Sequence, residues 1–436
     1  MLRFSAFLTA LALLGACGDD DVDPPPRDAS VRRDTGVEPD GGEDPDGGTD
    51  PDAGDPGDGG LITPGECSTD EGDLFPLFAD ARRRDRRVAV AGGEGGFVAA
   101  WVHNGGVFDD LFLRWVPSTG EIGEQQQVTD DFASQRAPAL ARRDGGFVLG
   151  WHDNAGESGF EVRTRLLDAS GSPTAESLEI TDGGRTVAHD NVALARTSTG
   201  VVAAFVEDDT MGSRILQSVA LDASGAAAGT PAEVGPSPVL LPAMSSFGDG
   251  AALVWANLTP GDDPDTVQLR PLGASGAPTA AAIQVDEGGD AAGTTAVAGT
   301  PDGLLGVVFD VDVGGGGSRQ EVRFRQLDET GTPVGVEAVI TDLDTGRDPG
   351  IGAFAGGFVI AYRGLETEGL DGPTIRLAFT NIRGQVVETF DLDPTTATGG
   401  PVTVAVSLDG TAILVGWASD SEDGTDTFVR RIRCDG

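Results

Sequence analysis

An all-β fold, a seven-bladed β-propeller of four-stranded antiparallel blades, is what the 436-residue sequence predicts. Three observations lead to this prediction: a segment recurs seven times, an aromatic residue and a turn glycine keep one spacing throughout, and small residues precede each aromatic run. Alternation of apolar and polar residues between Gly, Asp and Ser turns is typical of antiparallel strands. Four such strands in a unit of this length are typical of a propeller blade.

The clearest copy of the repeat covers 145–181. It begins with a Gly-Gly turn and an apolar run at 147–151, and an alternating run follows at 160–167. A tight turn at 168–171 comes next, in which the Asp side chain bonds to its own turn and Gly provides the positive φ. A last strand at 177–181 completes the unit. We label the four strands of each blade A to D, from the central channel outwards.

Two landmarks set the period. The aromatic residues that close strand B lie 50 to 55 residues apart, at Trp101, Trp151, Phe205, Trp255, Phe309, Tyr362 and Trp417. The turn glycines follow the same spacing, at Gly120, Gly171, Gly225, Gly276, Gly331 and Gly384. Small-residue segments such as 137–141 suit strand A, which lines a narrow channel. A β-sandwich array or a solenoid also repeats such units, but seven similar units without capping repeats favour a ring.

Closure of that ring is a sharper expectation. The seventh unit reaches Gly436 before its C–D turn, so its outer strand has to come from another part of the chain. We expect the segment at 73–78 to pair there as strand D of blade 7, because Pro76 is tolerated in an edge strand. Cys67 and Cys434 would then be neighbours, and we expect a disulfide between them.

The composition limits the partners. The formal charge is −42, and the chain contains no lysine. A surface this acidic argues against binding nucleic acid or anionic lipid headgroups through a basic patch. Arginines do recur on strand C, and we expect them to pair with acidic neighbours between blades: Arg114, Arg165, Arg270 and Arg325. We expect the protein to be a monomer.

The N-terminal region predicts export and anchoring. Residues 1–16 have the charged start and short apolar run of a signal peptide, and the run is too short for a permanent membrane span. Residues 14–17, Leu-Gly-Ala-Cys, resemble the bacterial lipobox, in which Cys17 becomes lipidated. Residues 17–65 are rich in Asp, Gly and Pro and predict a disordered tether. The propeller domain is expected at 66–436.

A family resemblance follows from these motifs. GGFV-x-x-W followed by R-x-L-D-x-x-G-x-P, at 145–151 and 165–173, resembles repeats of large secreted bacterial proteins and lipoproteins. The resemblance implies an extracytoplasmic propeller in the bacterial cell envelope, held by a lipid in the outer membrane or at the cell surface. It assigns no catalytic residue. Blade 6 departs from the pattern, because 382–384 replaces the usual Asp-x-x-Gly turn.

One face of the propeller is the predicted binding surface. In a four-stranded blade the B–C and D–A loops emerge together, and in this chain they are long and acidic. Loops on a rigid scaffold commonly carry function. We call this the loop face, and the opposite side, with the A–B and C–D turns, the turn face. The candidate residues of the loop face are His103, His152, Asp153, His189, Asp190, Glu207, Asp208, Asp209, Asp310, Asp312, Asp420 and Asp423.

The chemistry of these residues leaves alternatives open. The histidines, each expected at the edge of a loop, have the imidazole groups that suit Zn²⁺ or a general base, but they are dispersed along the chain. The acidic loops have the oxygen ligands that Ca²⁺ prefers. No GxSxG, P-loop or CxxC motif is present. The sequence therefore favours a protein or polysaccharide binder; it assigns no cofactor, and Ca²⁺ is the candidate ion for the acidic loops. An extracellular glycan hydrolase or lyase that uses His152, and a passive envelope scaffold, remain alternatives.

Overall fold

The computed structural model describes residues 67–68, 73–77, 86–104, 108–154, 159–181, 187–209, 214–235, 239–257, 265–288, 290–313, 320–341, 346–364, 374–393, 400–421 and 424–434. The expected signal peptide, Cys17 and the acidic tether lie outside these ranges. Within them, no helix has the length and apolar character needed to cross a membrane.

Seven antiparallel sheets confirm the predicted propeller, and in each of them the strands follow the order A, B, C, D. Blade 1 consists of Arg86–Gly93, Gly96–Asn104, Asp109–Pro117 and Gln125–Gln127. Blade 2 consists of Gln135–Arg143, Gly146–Asp153, Glu161–Asp168 and Leu178–Glu179. Blade 3 consists of Val187–Arg196, Val201–Asp209, Arg214–Leu221 and Ala232–Gly235.

The remaining blades repeat this pattern. Blade 4 consists of Val239–Phe247, Gly250–Asn257, Thr266–Leu272 and Ile283–Gln284. Blade 5 consists of Asp290–Gly299, Leu305–Asp312, Gln320–Leu327 and Pro333–Val339. Blade 6 consists of Gly346–Phe354, Gly357–Gly364, Thr374–Asn381 and Val386–Asp393. Blade 7 takes Thr403–Val406, Ala412–Ser421 and Gly424–Cys434 from the end of the chain.

The expected closure of the ring is confirmed. Leu74–Pro76 pairs antiparallel with strand C of blade 7 and becomes its strand D, with Pro76 opposite Phe428. Cys67–Ser68 pairs with the end of the same strand, and a disulfide joins Cys67 to Cys434. The two ends of the propeller domain are therefore linked by hydrogen bonds and by a covalent bond.

A buried carboxylate reinforces this closure. Asp73 is 2% exposed, and its two oxygens bind Arg431 at 2.6 Å and Arg433 at 2.9 Å. Burial acts to raise the pKa of Asp73, but the hydrogen bonds from the two guanidinium groups outweigh it and lower the pKa below its ordinary value. Arg431 also donates to the carbonyl groups of Pro117 and Gly120 in blade 1. One arginine thus connects both chain ends to the first blade.

The aromatic landmarks of the repeat form the core. All seven side chains that close strand B are at most 3% exposed, and they pack within the hydrophobic clusters of the blades. The predicted C–D turns are also present. Asp168 accepts hydrogen bonds from the amides of Ser170 and Ser172. In blade 6 Asn381 accepts the equivalent bonds, so the hairpin forms without the Asp.

A β-bulge interrupts strand A in blades 1 to 6 where it enters the channel from the loop face. At each bulge one residue has a positive φ, namely Arg87, Ala137, Asn191, Leu241, Gly293 and Asp348. Gly400 has a positive φ just before strand A of blade 7. Five of these seven residues are not glycine, and a positive φ is strained for them. The bulges therefore form a ring around one end of the channel.

Candidate functional site

Two cavities lie along the channel. A cavity of about 250 Å³ is lined by strand A residues of all seven blades, mainly small or aliphatic, with Arg87 and Asn191 among its polar residues. A cavity of about 680 Å³ lies between the turns of blades 4 to 7 on the turn face, with Ser407 and Asp409 in its lining. The sequence did not indicate the second cavity, because turn residues of different blades line it together.

The sequence suggested that the three histidines lie at the edges of loops. The structure instead places all three in strands, where they are buried. His103, His152 and His189 are 2%, 5% and 4% exposed. Strand B continues past its aromatic residue, so His103 and His152 still pair with strand C. His189 pairs with Glu207 from within strand A of blade 3. Each imidazole ring makes an edge contact with a phenylalanine ring.

His152 accepts a hydrogen bond that links two blades. Its Nδ1 lies 3.1 Å from the backbone nitrogen of Asn191, the bulge residue of blade 3, which donates to it. Burial, followed by the positive charges of Arg87 and Arg136, lowers the pKa of His152 to about 3. The imidazole is therefore neutral at physiological pH, and one of its nitrogen atoms is occupied by the backbone.

Acidic side chains surround His189. Its Nδ1 lies 3.1 Å from a carboxylate oxygen of Glu161, and its Nε2 lies 3.6 Å from one of Glu207. Thr181 donates to the same Glu161 oxygen and accepts the amide of Val162. This network fixes the D–A connection of blade 2 against blade 3. Asp153 is similarly engaged, by the indole of Trp151 and by Arg163.

Asp310 occupies the same repeat position as His152, one residue after the strand B aromatic. Its two oxygens accept the amides of Thr294 at 2.9 Å and of Asp348 at 3.2 Å, so it too binds the bulge of the following blade. Burial is the main reason that the pKa of Asp310 rises to about 6. Arg363 binds Asp348 beside it. The sequence suggested a loop position for Asp310, whereas the structure places it in strand B.

The other candidate residues lie further out. Glu207 accepts a hydrogen bond from Gln217, and Asp208 is 3.5 Å from Arg214. Asp312 ends strand B of blade 5 and is half-buried. The backbones of Asp190, Asp209 and Asp420 belong to strands, but their side chains, and the whole of Asp423, lie outside what the structure describes. In the described ranges, no three His, Cys, Asp or Glu side chains are grouped to hold a metal ion.

A further cluster on the loop face of blade 1 was missed by the sequence reasoning. Phe132, in the D–A loop, is 91% exposed, and its ring lies 6.1 Å from that of Phe108. We call this cluster the acidic aromatic patch. It consists of Phe108, Asp109, Asp110, Asp130, Asp131 and Phe132. The signal in the sequence was a phenylalanine within an Asp-rich loop, where apolar side chains are uncommon.

Comparisons with known proteins concern the fold alone. The chain is similar to a Trypanosoma rangeli sialidase in complex with the inhibitor DANA, with 10% identity, a TM-score of 0.48, and coverage of 85% of this chain and 60% of that one. It is also similar to the parainfluenza virus 5 hemagglutinin-neuraminidase ectodomain, with 9% identity, a TM-score of 0.49, and coverage of 86% and 88%. No protein-family model matches the sequence, and no similar sequence is found among curated proteins.

Proposed function

We propose that this chain is a lipid-anchored propeller of the bacterial cell envelope that binds a protein or polysaccharide through its loop face. Cys17 would carry the lipid, and the acidic tether would hold the propeller away from the membrane. The described acidic residues on the loop-face side of the blades include Asp130, Asp131 and Asp208.

The observation that carries this proposal is the engagement of the residues that had been the best catalytic candidates. His152 accepts a backbone amide, Asp310 accepts two, and His189 lies between two glutamates. These groups join neighbouring blades and are buried, whereas the exposed residues that the structure describes on the loop face include Asp130, Asp131 and Phe132. This division supports a rigid scaffold that presents a recognition surface.

The test is capture of a ligand from envelope extracts by the purified full chain. A loop-face variant, Asp208→Asn with Asp312→Asn, is compared with a turn-face variant, Glu121→Gln with Glu124→Gln, which removes the same number of charges. We expect the loop-face variant to lose the ligand and the turn-face variant to keep it. Equal retention by both variants contradicts the proposal. A parallel experiment with EDTA measures whether Ca²⁺ contributes.

The hydrolase alternative is tested in the same envelope extracts by measuring glycan cleavage. Cleavage of envelope glycans by the wild-type chain, abolished in a folded His152→Gln variant, would replace binding with catalysis as the main activity. The passive scaffold alternative predicts that neither the wild-type chain nor any variant captures a ligand.

A further inference from the structure

We propose that the acidic aromatic patch of blade 1 binds an arginine-bearing segment of a partner protein. The inference rests on the proposed function and specifies the chemistry of the ligand. Its basis is an exposed aromatic ring held in place among carboxylates, at a site where a guanidinium group can contact both.

The exposure of Phe132 is built into the fold. Asp131, next to it, accepts hydrogen bonds from the amide of Ala133 at 3.1 Å and from the side chain of Gln135 at 2.7 Å. Gln135 is fully buried and also accepts the hydroxyl of Thr129, which in turn accepts the amide of Leu111. The loop is therefore anchored to strand C of its own blade. These hydrogen bonds fix the backbone of the loop while the ring of Phe132 stays accessible to a ligand.

Negative charge is concentrated around that ring. Burial raises the pKa of Asp110, and the neighbouring charges of Asp130, Asp131 and Asp109 raise it further. Among the described residues, no arginine forms an ion pair with these four carboxylates. A cation that enters the patch relieves this mutual repulsion, whereas an uncharged sugar does not.

The chain itself shows the arrangement with an arginine in place. At the ring closure Arg431 stands over the ring of Phe75, with its guanidinium carbon 5.4 Å from the ring centre, while Asp73 accepts its hydrogen bonds. Arg136 also stacks on a phenylalanine ring, that of Phe160, with its guanidinium carbon 4.8 Å from the ring centre. Phenylalanine beside aspartate is thus a combination that binds arginine within this molecule. Arginine suits it better than lysine because a planar guanidinium stacks on a ring and still donates to carboxylates.

The test measures binding of a nonapeptide of alternating glycine and arginine to the full chain at 0.15 M salt, by calorimetry. We expect Phe132→Ala to weaken binding by about three- to fivefold, as loss of a cation–π contact at an exposed site predicts. Asp109→Asn with Asp130→Asn should weaken it at least as much. The matched controls are Glu121→Gln with Glu124→Gln for charge and Val336→Ala, which removes another exposed apolar side chain, for surface area. We expect both controls to change affinity by less than about twofold.

Two results overturn the inference. Equal losses in the two charge-removing variants, with no effect of Phe132→Ala, would show diffuse attraction to an acidic protein. Binding of an uncharged oligosaccharide that depends on Phe132, without binding of the peptide, would identify a glycan site. The inference about the patch can fail while the proposed function holds. In that case the Asp208→Asn with Asp312→Asn variant loses the envelope ligand, although the peptide test shows no role for the patch.

Discussion

His152 and Asp310 illustrate, at the scale of single residues, how one position of the repeat is used. Each follows the strand B aromatic, and each accepts the amide of the bulge residue in the next blade. Imidazole and carboxylate are interchangeable there because both offer an acceptor to a buried N–H group, which would be costly to leave without a partner. In the sequence, a histidine among carboxylates suggested a metal or catalytic site. In the structure, its place in the repeat makes it the hydrogen-bond acceptor of a backbone amide.

The first prediction concerns His152 and pH. A folded pKa near 3, below the ordinary 6.5, means that the unfolded chain takes up a proton first as pH falls. The contribution of the neutral ring to stability is complete above about pH 6.5 and decreases below it by up to about 1.4 kcal/mol per pH unit. We expect the difference in unfolding free energy between the wild type and His152→Gln to shrink by about 2.7 kcal/mol from pH 7.5 to 4.5. Denaturant titrations at both pH values measure it.

Nuclear magnetic resonance provides the control, since the chain has only three histidines. The His152 ring should show no titration between pH 5 and 8. A midpoint near the ordinary value of about 6.5 for that ring would contradict its buried, acceptor state.

The second prediction concerns the bulge at Ala137, whose φ is 47°. Blades 5 and 7 already have glycine at the equivalent position, as Gly293 and Gly400. We expect Ala137→Gly to be neutral or to stabilise the fold by up to about 1 kcal/mol, because relief of strain offsets the greater freedom of the unfolded chain. Ala139→Gly, two residues on in regular strand, should destabilise it by about 0.5 to 1 kcal/mol. Thermal unfolding of both variants measures the difference in stability. Equal losses of stability in the two variants would contradict backbone strain at Ala137.

Strand C provides the connection between blades at the scale of elements. Its arginines were expected to pair with acidic neighbours, and Arg325 does so with Glu287 of blade 4. Arg163, Arg323 and Arg376, also on strand C, pair with carboxylates of their own blade. Four further strand C arginines donate mainly to backbone carbonyl groups at the end of strand D in the preceding blade. These pairs are Arg165 with Val128, Arg270 with Val234, Arg430 with Leu392, and Arg114 with Pro76. Each guanidinium group thus donates to a carbonyl group at the end of an outer strand, where no neighbouring strand provides a hydrogen bond.

Arg114 therefore gives a prediction about closure. It donates to Gly123 of its own strand D connection at 2.8 Å and to Pro76 of the closing strand at 3.2 Å. We expect Arg114→Gln to lower the free energy of unfolding by about 1 to 2 kcal/mol, since hydrogen bonds from a charged group are lost at a half-buried site. Arg383→Gln, at an exposed turn, should change it by less than about 0.5 kcal/mol. Chemical denaturation compares the unfolding free energies of the two variants. Equal losses would contradict a role for Arg114 in closure.

The elements also show which features a sequence can reveal. The aromatic row and the turn glycines were predictable because burial and a positive φ require particular side chains at those positions. The bulges, the side chains that accept bulge amides, and the hydrogen bonds from strand C arginines to the preceding blade were not predictable. Their partners are backbone atoms, which every residue carries. His103 and His152 were assigned to loops because the aromatic residue was taken as the end of strand B, which continues for two to four residues beyond it.

Closure contributes to the stability of the whole molecule, because strand C of blade 7 would otherwise present an unpaired edge. Asp73 holds that closure through Arg431 and Arg433, and its lowered pKa means that its contribution is present at neutral pH and lost as pH falls below about 4. We expect Asp73→Asn to destabilise the protein at pH 7 by about 3 kcal/mol, because the buried Arg431 and the partly exposed Arg433 both lose their charged partner. The difference should disappear in acid, and a pH-independent difference would contradict this role.

The most direct test of the closed ring is peptide mapping of the native, unreduced protein after alkylation of free thiols. The account predicts that the peptide with Cys67 is linked to the peptide with Cys434, and that neither cysteine is alkylated until the protein is reduced. Alkylation of both in the native protein, or a link from either to a different cysteine, would contradict the closure on which the loop face depends.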